Sequence, residues 1–129
     1  MAFEFWKWLA WSLVAFVAAA HFLFMAAEMF AWAKIARRVA GLTDPVAEAT
    51  KAIGANQGLY NGFLAAGLTW SLAWSAAPAL DRPLALFFVI CVLIAGIFGA
   101  FTIQRVNLSL LGVQALPALL ALLALCKSG

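Results

Sequence analysis

Long apolar runs, separated by short polar links, make up most of the chain. Four of them reach the roughly 20 apolar residues that cross a bilayer: about 5–33, 55–77, 84–103 and 108–126. Inside hydrocarbon a segment must satisfy its own backbone hydrogen bonds, which favours helices over open strands. The pattern therefore predicts an all-α integral membrane protein, a four-helix bundle of up-down topology that forms a single domain over residues 1–129.

The polar link between the first two helices has helical features of its own. Gly41 follows a basic segment and is typical of a helix end, whereas Asp44 and Pro45 are typical of a helix start. Glu48 would then lie near the positive end of the helix dipole. We predict a short amphipathic helix over about 45–53, in the first cytoplasmic loop, that continues into helix two.

Composition and charge agree with this class and suggest an orientation. The chain is 67% hydrophobic and 10% charged, which leaves too little polar surface for a soluble domain. Lys and Arg favour cytoplasmic loops. Five of these residues lie in the first and third links and three on the opposite side: Lys34, Arg37, Arg38, Lys51 and Arg105, against Lys7, Arg82 and Lys127. The asymmetry predicts a multi-pass protein of the inner (cytoplasmic) membrane, with both termini outside and loops one and three cytoplasmic.

The basic residues and the two cysteines argue against a nucleic-acid partner and a bound metal ion. The basic side chains form no cluster with exposed aromatics, so no nucleic-acid partner is expected. Cys91 and Cys126 lack the spacing of a disulfide framework or a metal site, so no metal is expected. The lipid bilayer remains as the partner that the composition requires.

The stretch GANQGLYNGFLAAG, residues 54–67, is unusually polar for a membrane helix. At about 100° per residue, four polar side chains share an arc of roughly 140°: Asn56, Gln57, Tyr60 and Asn61. Three glycines repeat every four residues on another face: Gly54, Gly58 and Gly62. This small-xxx-small spacing lets another helix approach closely. It predicts a helix-packing ridge, within the subunit or between the subunits of a homo-oligomer.

Other polar residues fall at a similar depth once the four helices are assembled. Glu28 lies close to the cytoplasmic end of helix one, and the link between helices three and four carries Gln104, Arg105 and Asn107. His21 lies about 10 Å deeper at 1.5 Å per residue, at the level of Gln114 on helix four. Ionisable groups in a span are costly and normally face the protein interior. The arrangement predicts a polar cavity near the cytoplasmic face that binds a small polar or amphipathic ligand.

Several roles are open to this cluster. Glu28 or Tyr60 could act as acid or base and Arg105 could stabilise an anion, which makes these three the candidate catalytic residues. The candidate ligand-binding residues are His21, Asn56, Gln57, Asn61, Gln104, Asn107 and Gln114.

The alternative is a non-catalytic accessory or structural subunit, such as a subunit of a larger membrane complex. Its polar cluster would only fix helix packing, with Glu28 paired to Arg105 or Lys34. A carrier or channel ranks lower because no inverted repeat is visible. A haem or pigment ligated by His21 is a further, minor alternative.

Two strings carry a resemblance to a known family. HFLFMAAE, residues 21–28, and NQGLYNGFLAAGL, residues 56–68, are similar to a bacterial four-helix membrane family known only as domain of unknown function 1304. The resemblance covers nearly the whole chain. It implies the fold predicted above and brings no assigned activity with it.

A more distant resemblance is to the membrane-associated eicosanoid and glutathione metabolism superfamily. The features that carry it are Asn56 before Phe63 and Leu64, and the string QRVNLSLLGVQALP with Arg105, Gln114 and Pro117. This resemblance implies a trimer that binds glutathione between subunits near the cytoplasmic face. Arg105 would stabilise a thiolate, while Asn56 and Glu28 would hold the polar ligand. That superfamily has arginines beside the Asn and an acidic residue a turn later, whereas the neighbours here are Ala52, Ala55 and Leu59.

Overall fold

The computed structural model describes residues 1–73, 78–102 and 108–129, and every element in these ranges is helical. The helices are α1 (Ala2–Phe30), α2 (Trp32–Val39), α3 (Asp44–Ala49), α4 (Lys51–Leu72), α5 (Pro78–Thr102), α6 (Leu108–Leu110), a π-helical turn (Leu111–Ala115) and α7 (Leu116–Lys127).

Three helices among the described residues are long and apolar enough to cross a membrane. They are Ala2–Phe30, Ala79–Thr102 and Leu108–Lys127. Large apolar side chains such as Phe16, Phe87 and Leu123 are exposed on their outer faces, as lipid contact requires. α4 has 22 residues but is not one of the three, because its amide side chains lower its mean hydropathy. The chain is thus an all-helical membrane protein.

The first helix ends earlier than the predicted residue 33. α1 stops at Phe30, because Ala31 leaves the helical region with φ −133° and ψ 25°. α2 then starts in a new direction, with Ala36 buried while Lys34 and Arg38 stay exposed. The break therefore lets one side of a basic segment pack on the protein while the charges remain outside.

Two contacts hold the first link in place. Gly41 has a φ of +65°, which turns the chain after α2. Arg37 then donates a 2.6 Å hydrogen bond from Nη1 to Oδ1 of Asp44, the first residue of α3. This ion pair raises the pKa of Arg37 through the hydrogen bond and the charge of Asp44. Both side chains are exposed, so the pair orients the link more than it stabilises the fold.

The predicted continuous helix from residue 45 into helix two is instead divided at Thr50. α3 ends at Ala49, and Thr50 has φ −99° and ψ 9°. Its hydroxyl donates to the Val46 carbonyl at 2.7 Å and accepts from Nε1 of Trp32 at 3.0 Å. One side chain therefore ties α2 to the junction of α3 and α4.

Neighbouring long helices pack antiparallel. α1 packs along α4 and α7, and α5 packs along the same two helices. Lys127, at the end of α7, lies 4.5 Å above the ring of Trp6 near the start of α1. Arg82, near the start of α5, donates to the Leu125 carbonyl of α7 at 3.0 Å. Their common core is made of small and β-branched residues with two leucines: Ala10, Val14, Val17, Leu68, Val89, Val92, Ala118, Ala121 and Leu125.

Candidate functional site

The glycine ridge of α4 contacts α1 and α2 of the same chain. Gly54 lies beneath the ring of Trp32. Gly58 is so close to α1 that an added Cβ would lie 2.9 Å from the Met25 carbonyl oxygen and 2.7 Å from Cγ of Met29. At Gly62 it would lie 2.7 Å from Sδ of Met25. Close approach of the two backbones is thus the local use of these glycines.

This approach places Glu28 of α1 against Asn61 of α4. Nδ2 of Asn61 donates a 2.7 Å hydrogen bond to Oε2 of Glu28. Asn61 is only 7% exposed, and Glu28 is half-buried. A bond from an amide to a carboxylate is charge-assisted and stronger than one between neutral groups. Lys34, the alternative partner within the described ranges, is exposed and makes no ion pair with Glu28.

A cavity of about 490 Å³ lies beside this pair. Five of its lining residues are polar: Glu28, Gln57, Tyr60, Asn61 and Gln114. The larger apolar residues of its wall are Phe24, Trp32, Ile35, Val39, Leu64 and Leu110. The volume is within the usual range for small-molecule sites, which are mostly apolar with a few placed polar groups. The arrangement suits a molecule with an apolar body and one polar end.

Gln114 reaches the cavity from an irregular turn of the last helix. Pro117 has no N–H to donate, and the preceding residues Leu111–Ala115 form a π-helical turn. Leu116 accordingly donates its N–H to the Leu111 carbonyl, five residues back. Such π turns often occur at functional sites. The distortion lies just before the proline.

His21 does not line the cavity. It is 1% exposed, and its Nδ1 donates to the Val17 carbonyl at 2.8 Å, as a carbonyl can only accept. Nε2 is buried and has no hydrogen-bond partner in the described structure. The imidazole packs edge-on to Phe24 at 5.3 Å between ring centres, and Phe24 is a wall residue. His21 therefore lies behind the wall.

Asn56 also departs from its predicted place. It is exposed and is not among the residues that line the cavity, although its neighbour Gln57 is. The helix turns about 100° between the two, so the predicted polar arc was too wide to face one cavity. Gln104, Arg105 and Asn107, which the sequence placed at this level, lie outside the described residues.

The wall contributed by α2 had no place in the sequence-based prediction. Trp32, Ile35, Ala36, Val39 and Ala40 line the cavity from this short helix. The available signal was the segment WAKIARRV, whose apolar residues recur at helical spacing opposite its basic ones. Because helix one was predicted to end at residue 33, most of this segment fell in the polar link and was not predicted as a separate helix.

The described ranges hold no group of three or more His, Cys, Asp or Glu side chains placed to bind a metal ion. Both cysteines are free, Cys91 half-buried and Cys126 exposed.

Comparisons with known proteins identify a family that has no assigned activity. No curated protein and no solved structure matches the chain. The more distant resemblance to the eicosanoid and glutathione superfamily therefore rests on the sequence strings alone. A family model described as a protein of unknown function does match, over residues 15–126. This confirms the nearer resemblance, and the chain belongs to the family of domain of unknown function 1304.

Proposed function

We propose that this membrane protein binds a small amphipathic molecule in the cavity between α1, α2 and α4. The observation that carries the proposal is the hydrogen-bonded pair of Glu28 and Asn61 at the edge of a largely apolar cavity. An ionisable group within a membrane helix costs several kcal/mol and is by default functional. A carboxylate needed only for helix packing would not have to face a cavity.

The cavity supports an amphipathic ligand over a purely polar one. Its wall is mainly aliphatic and aromatic, and its polar residues come from α1, α4 and the π-helical turn. Tyr60 is 51% exposed and Gln57 is exposed, so both can contact a molecule that enters beside α4.

The proposed arrangement in the membrane is a four-helix up-down bundle in the inner membrane, with both termini outside. The antiparallel contacts of α1, α4, α5 and α7 support it. The cavity then lies near the cytoplasmic face, at the ends of α1 and α4 that the basic first link joins.

A more specific form of the proposal is that the protein is an enzyme acting on the bound molecule. Glu28 and Tyr60 both line the cavity and could transfer a proton to or from a bound molecule. In the form that the distant resemblance implies, Arg105 would stabilise the thiolate of glutathione in a trimer. A homo-oligomer would need a surface other than the glycine ridge, which α1 and α2 cover within the chain.

A second candidate is a non-catalytic accessory subunit. The direct Glu28–Asn61 bond favours it, since a bond between side chains 33 residues apart fixes the register of α1 on α4. The two candidates differ in whether the cavity is used.

Filling the cavity separates them. The double variant Ala27→Phe/Ala95→Phe adds two rings to its lining, whereas Ala26→Phe/Ala66→Phe adds the same rings at exposed positions outside it. Native mass spectrometry of purified protein should detect a small molecule bound to the wild type and to the exposed-position control. The cavity-filling variant should lose it.

Equal occupancy in both double variants, or no bound molecule in the wild type, would overturn the binding function and leave the accessory role. Thermal unfolding of each variant checks that the loss is not a loss of fold.

A further inference from the structure

The cavity has a single carboxyl group among the described residues that line it. That group is Glu28, and no described Lys, Arg or His reaches the lining. The formal charge that the described wall can offer is therefore negative. A carboxylate in a low-dielectric surrounding is stabilised by an opposite charge more strongly than it would be in water.

The hydrogen-bonding groups of the wall also favour a donor. Asn61 uses its Nδ2 on Oε2 of Glu28, and no described residue bonds Oε1. The carbonyl oxygens of Gln57 and Gln114 and the hydroxyl of Tyr60 can also accept. An ammonium group brings three donors and no acceptor, which matches this set. A carboxylate or phosphate would meet Glu28 as a like charge.

Aromatic rings complete the match to a cation. Phe24, Trp32 and Tyr60 all line the cavity, and aromatic faces attract cations, with Trp the strongest of the three. The remaining wall, including Ile35 and Leu64, is aliphatic. It would shield the body of the molecule from water.

We propose that the cavity binds a lipophilic amine in its protonated form, with the ammonium on Glu28 and the apolar body against Trp32 and Phe24. This inference rests on the proposed function and names its ligand class. Lys34 and Arg38 of α2 are exposed and do not line the cavity, so they do not cancel the charge inside it.

Three probes of one shape and different charge test the proposal. They are 1-naphthylmethylamine, 1-naphthalenemethanol and 1-naphthoate, with binding measured by equilibrium dialysis on protein in nanodiscs of phosphatidylcholine. The amine should bind the wild type at least about tenfold more tightly than the alcohol, and the naphthoate should bind most weakly.

Variants then assign the preference to one carboxylate. E28Q should bind amine and alcohol alike, whereas E28D should retain the preference because it keeps the charge. The control E4Q removes an exposed carboxylate of the same helix and should leave the preference unchanged. If E28Q does not fold, wild type and E28D still decide between amine and alcohol.

The outcomes distinguish the two proposals. If all three probes bind alike and the Ala27→Phe/Ala95→Phe variant abolishes their binding, the ligand class is wrong and the cavity remains a binding site. Preferred binding of the naphthoate would also overturn the amine. If no probe binds saturably and filling the cavity does not change native occupancy, the proposed function itself fails.

Discussion

His21 is the buried residue whose chemistry the proposed function does not use. Its Nδ1 proton satisfies the Val17 carbonyl of its own helix, and Nε2 has no partner within the described structure. A buried acceptor without a hydrogen bond costs about 1–3 kcal/mol. In the described structure, His21 therefore fills space at an energetic cost.

Replacing His21 with Leu should leave the protein as stable or make it more so. Leu has a similar volume and removes the unpaired acceptor. The Val17 carbonyl loses the bond from His21 Nδ1 but keeps its backbone hydrogen bond within the helix. We expect the free energy of unfolding, from SDS titration in mild detergent, to stay equal or rise by about 1 kcal/mol.

The neighbouring core variant Val17→Ala provides the scale, because it should lower the same quantity by about 1–2 kcal/mol. A fall of more than about 2 kcal/mol in His21→Leu would contradict the assignment and point to a group bound at Nε2. If wild type and His21→Leu then have the same absorbance near 400 nm, the bound group is not a haem.

All five polar residues that line the cavity in the described structure were among the residues that the sequence patterns singled out. Glu28, Tyr60 and Asn61 stand out because polar side chains are costly in a membrane helix and rarely occur there without a role. The pairing of Glu28 with Asn61 could not be predicted, since it depends on the register at which α1 settles over Gly58. The same register excludes Asn56, one residue away from a lining position.

At the scale of elements, the three glycines that form the ridge of α4 differ in what they contact. Gly58 faces the backbone of α1 at Met25 and Met29, which cannot retreat without moving the helix. Gly62 faces only the flexible end of the Met25 side chain. The ridge is therefore uneven, although its spacing in the sequence is regular.

Gly58→Ala should destabilise the protein more than Gly62→Ala. The first should lower the free energy of unfolding by about 1–3 kcal/mol, because overpacking forces the helices apart. The second should cost less than about 1 kcal/mol, since Met25 can change rotamer. Gly112→Ala, whose Cβ would meet nothing within 4 Å, is the matched control and should be neutral. Equal effects at Gly58 and Gly62 would contradict the packing described here.

The helix boundaries show where sequence reasoning at this scale reaches its limit. Hydrophobic periodicity predicted long helices but missed the breaks at Ala31 and Thr50. Ala has the highest helix propensity, and Thr is not a strong helix breaker as Gly and Pro are. Both breaks are held by tertiary contacts, above all the bond from Trp32 to Thr50. A local pattern does not contain such a contact, and so the α2 wall of the cavity was not predicted.

At the scale of the whole molecule, α4 is the unusual helix. It is too polar to pass as a membrane span alone, yet it packs between the apolar helices α1 and α5. Two of its polar side chains are buried and hydrogen-bonded. Asn61 donates to the Glu28 carboxylate, and Ser71 donates to the Leu68 carbonyl. A helix satisfied in this way can cross a bilayer that its composition alone would disfavour.

Labelling of single cysteines tests this crossing. In a background with Cys91→Ala and Cys126→Ser, S128C, L80C and R38C each introduce one thiol, at positions that are intermediate or exposed. A membrane-impermeant maleimide applied to intact spheroplasts should label S128C and L80C. R38C should react only after permeabilisation.

Comparing L80C with R38C tests α4 directly, because the two positions lie on either side of it in the chain. If α4 crosses, they must differ in access; if α4 lies on the surface, both must behave alike. A complete reversal of all three sites would keep the four crossings and correct only the orientation, whose basis is a difference of two basic residues, five against three. Labelling of S128C but not L80C would instead contradict the antiparallel pairing of α5 with α7 as two full spans, since residues 80 and 128 lie at the same end of that pair.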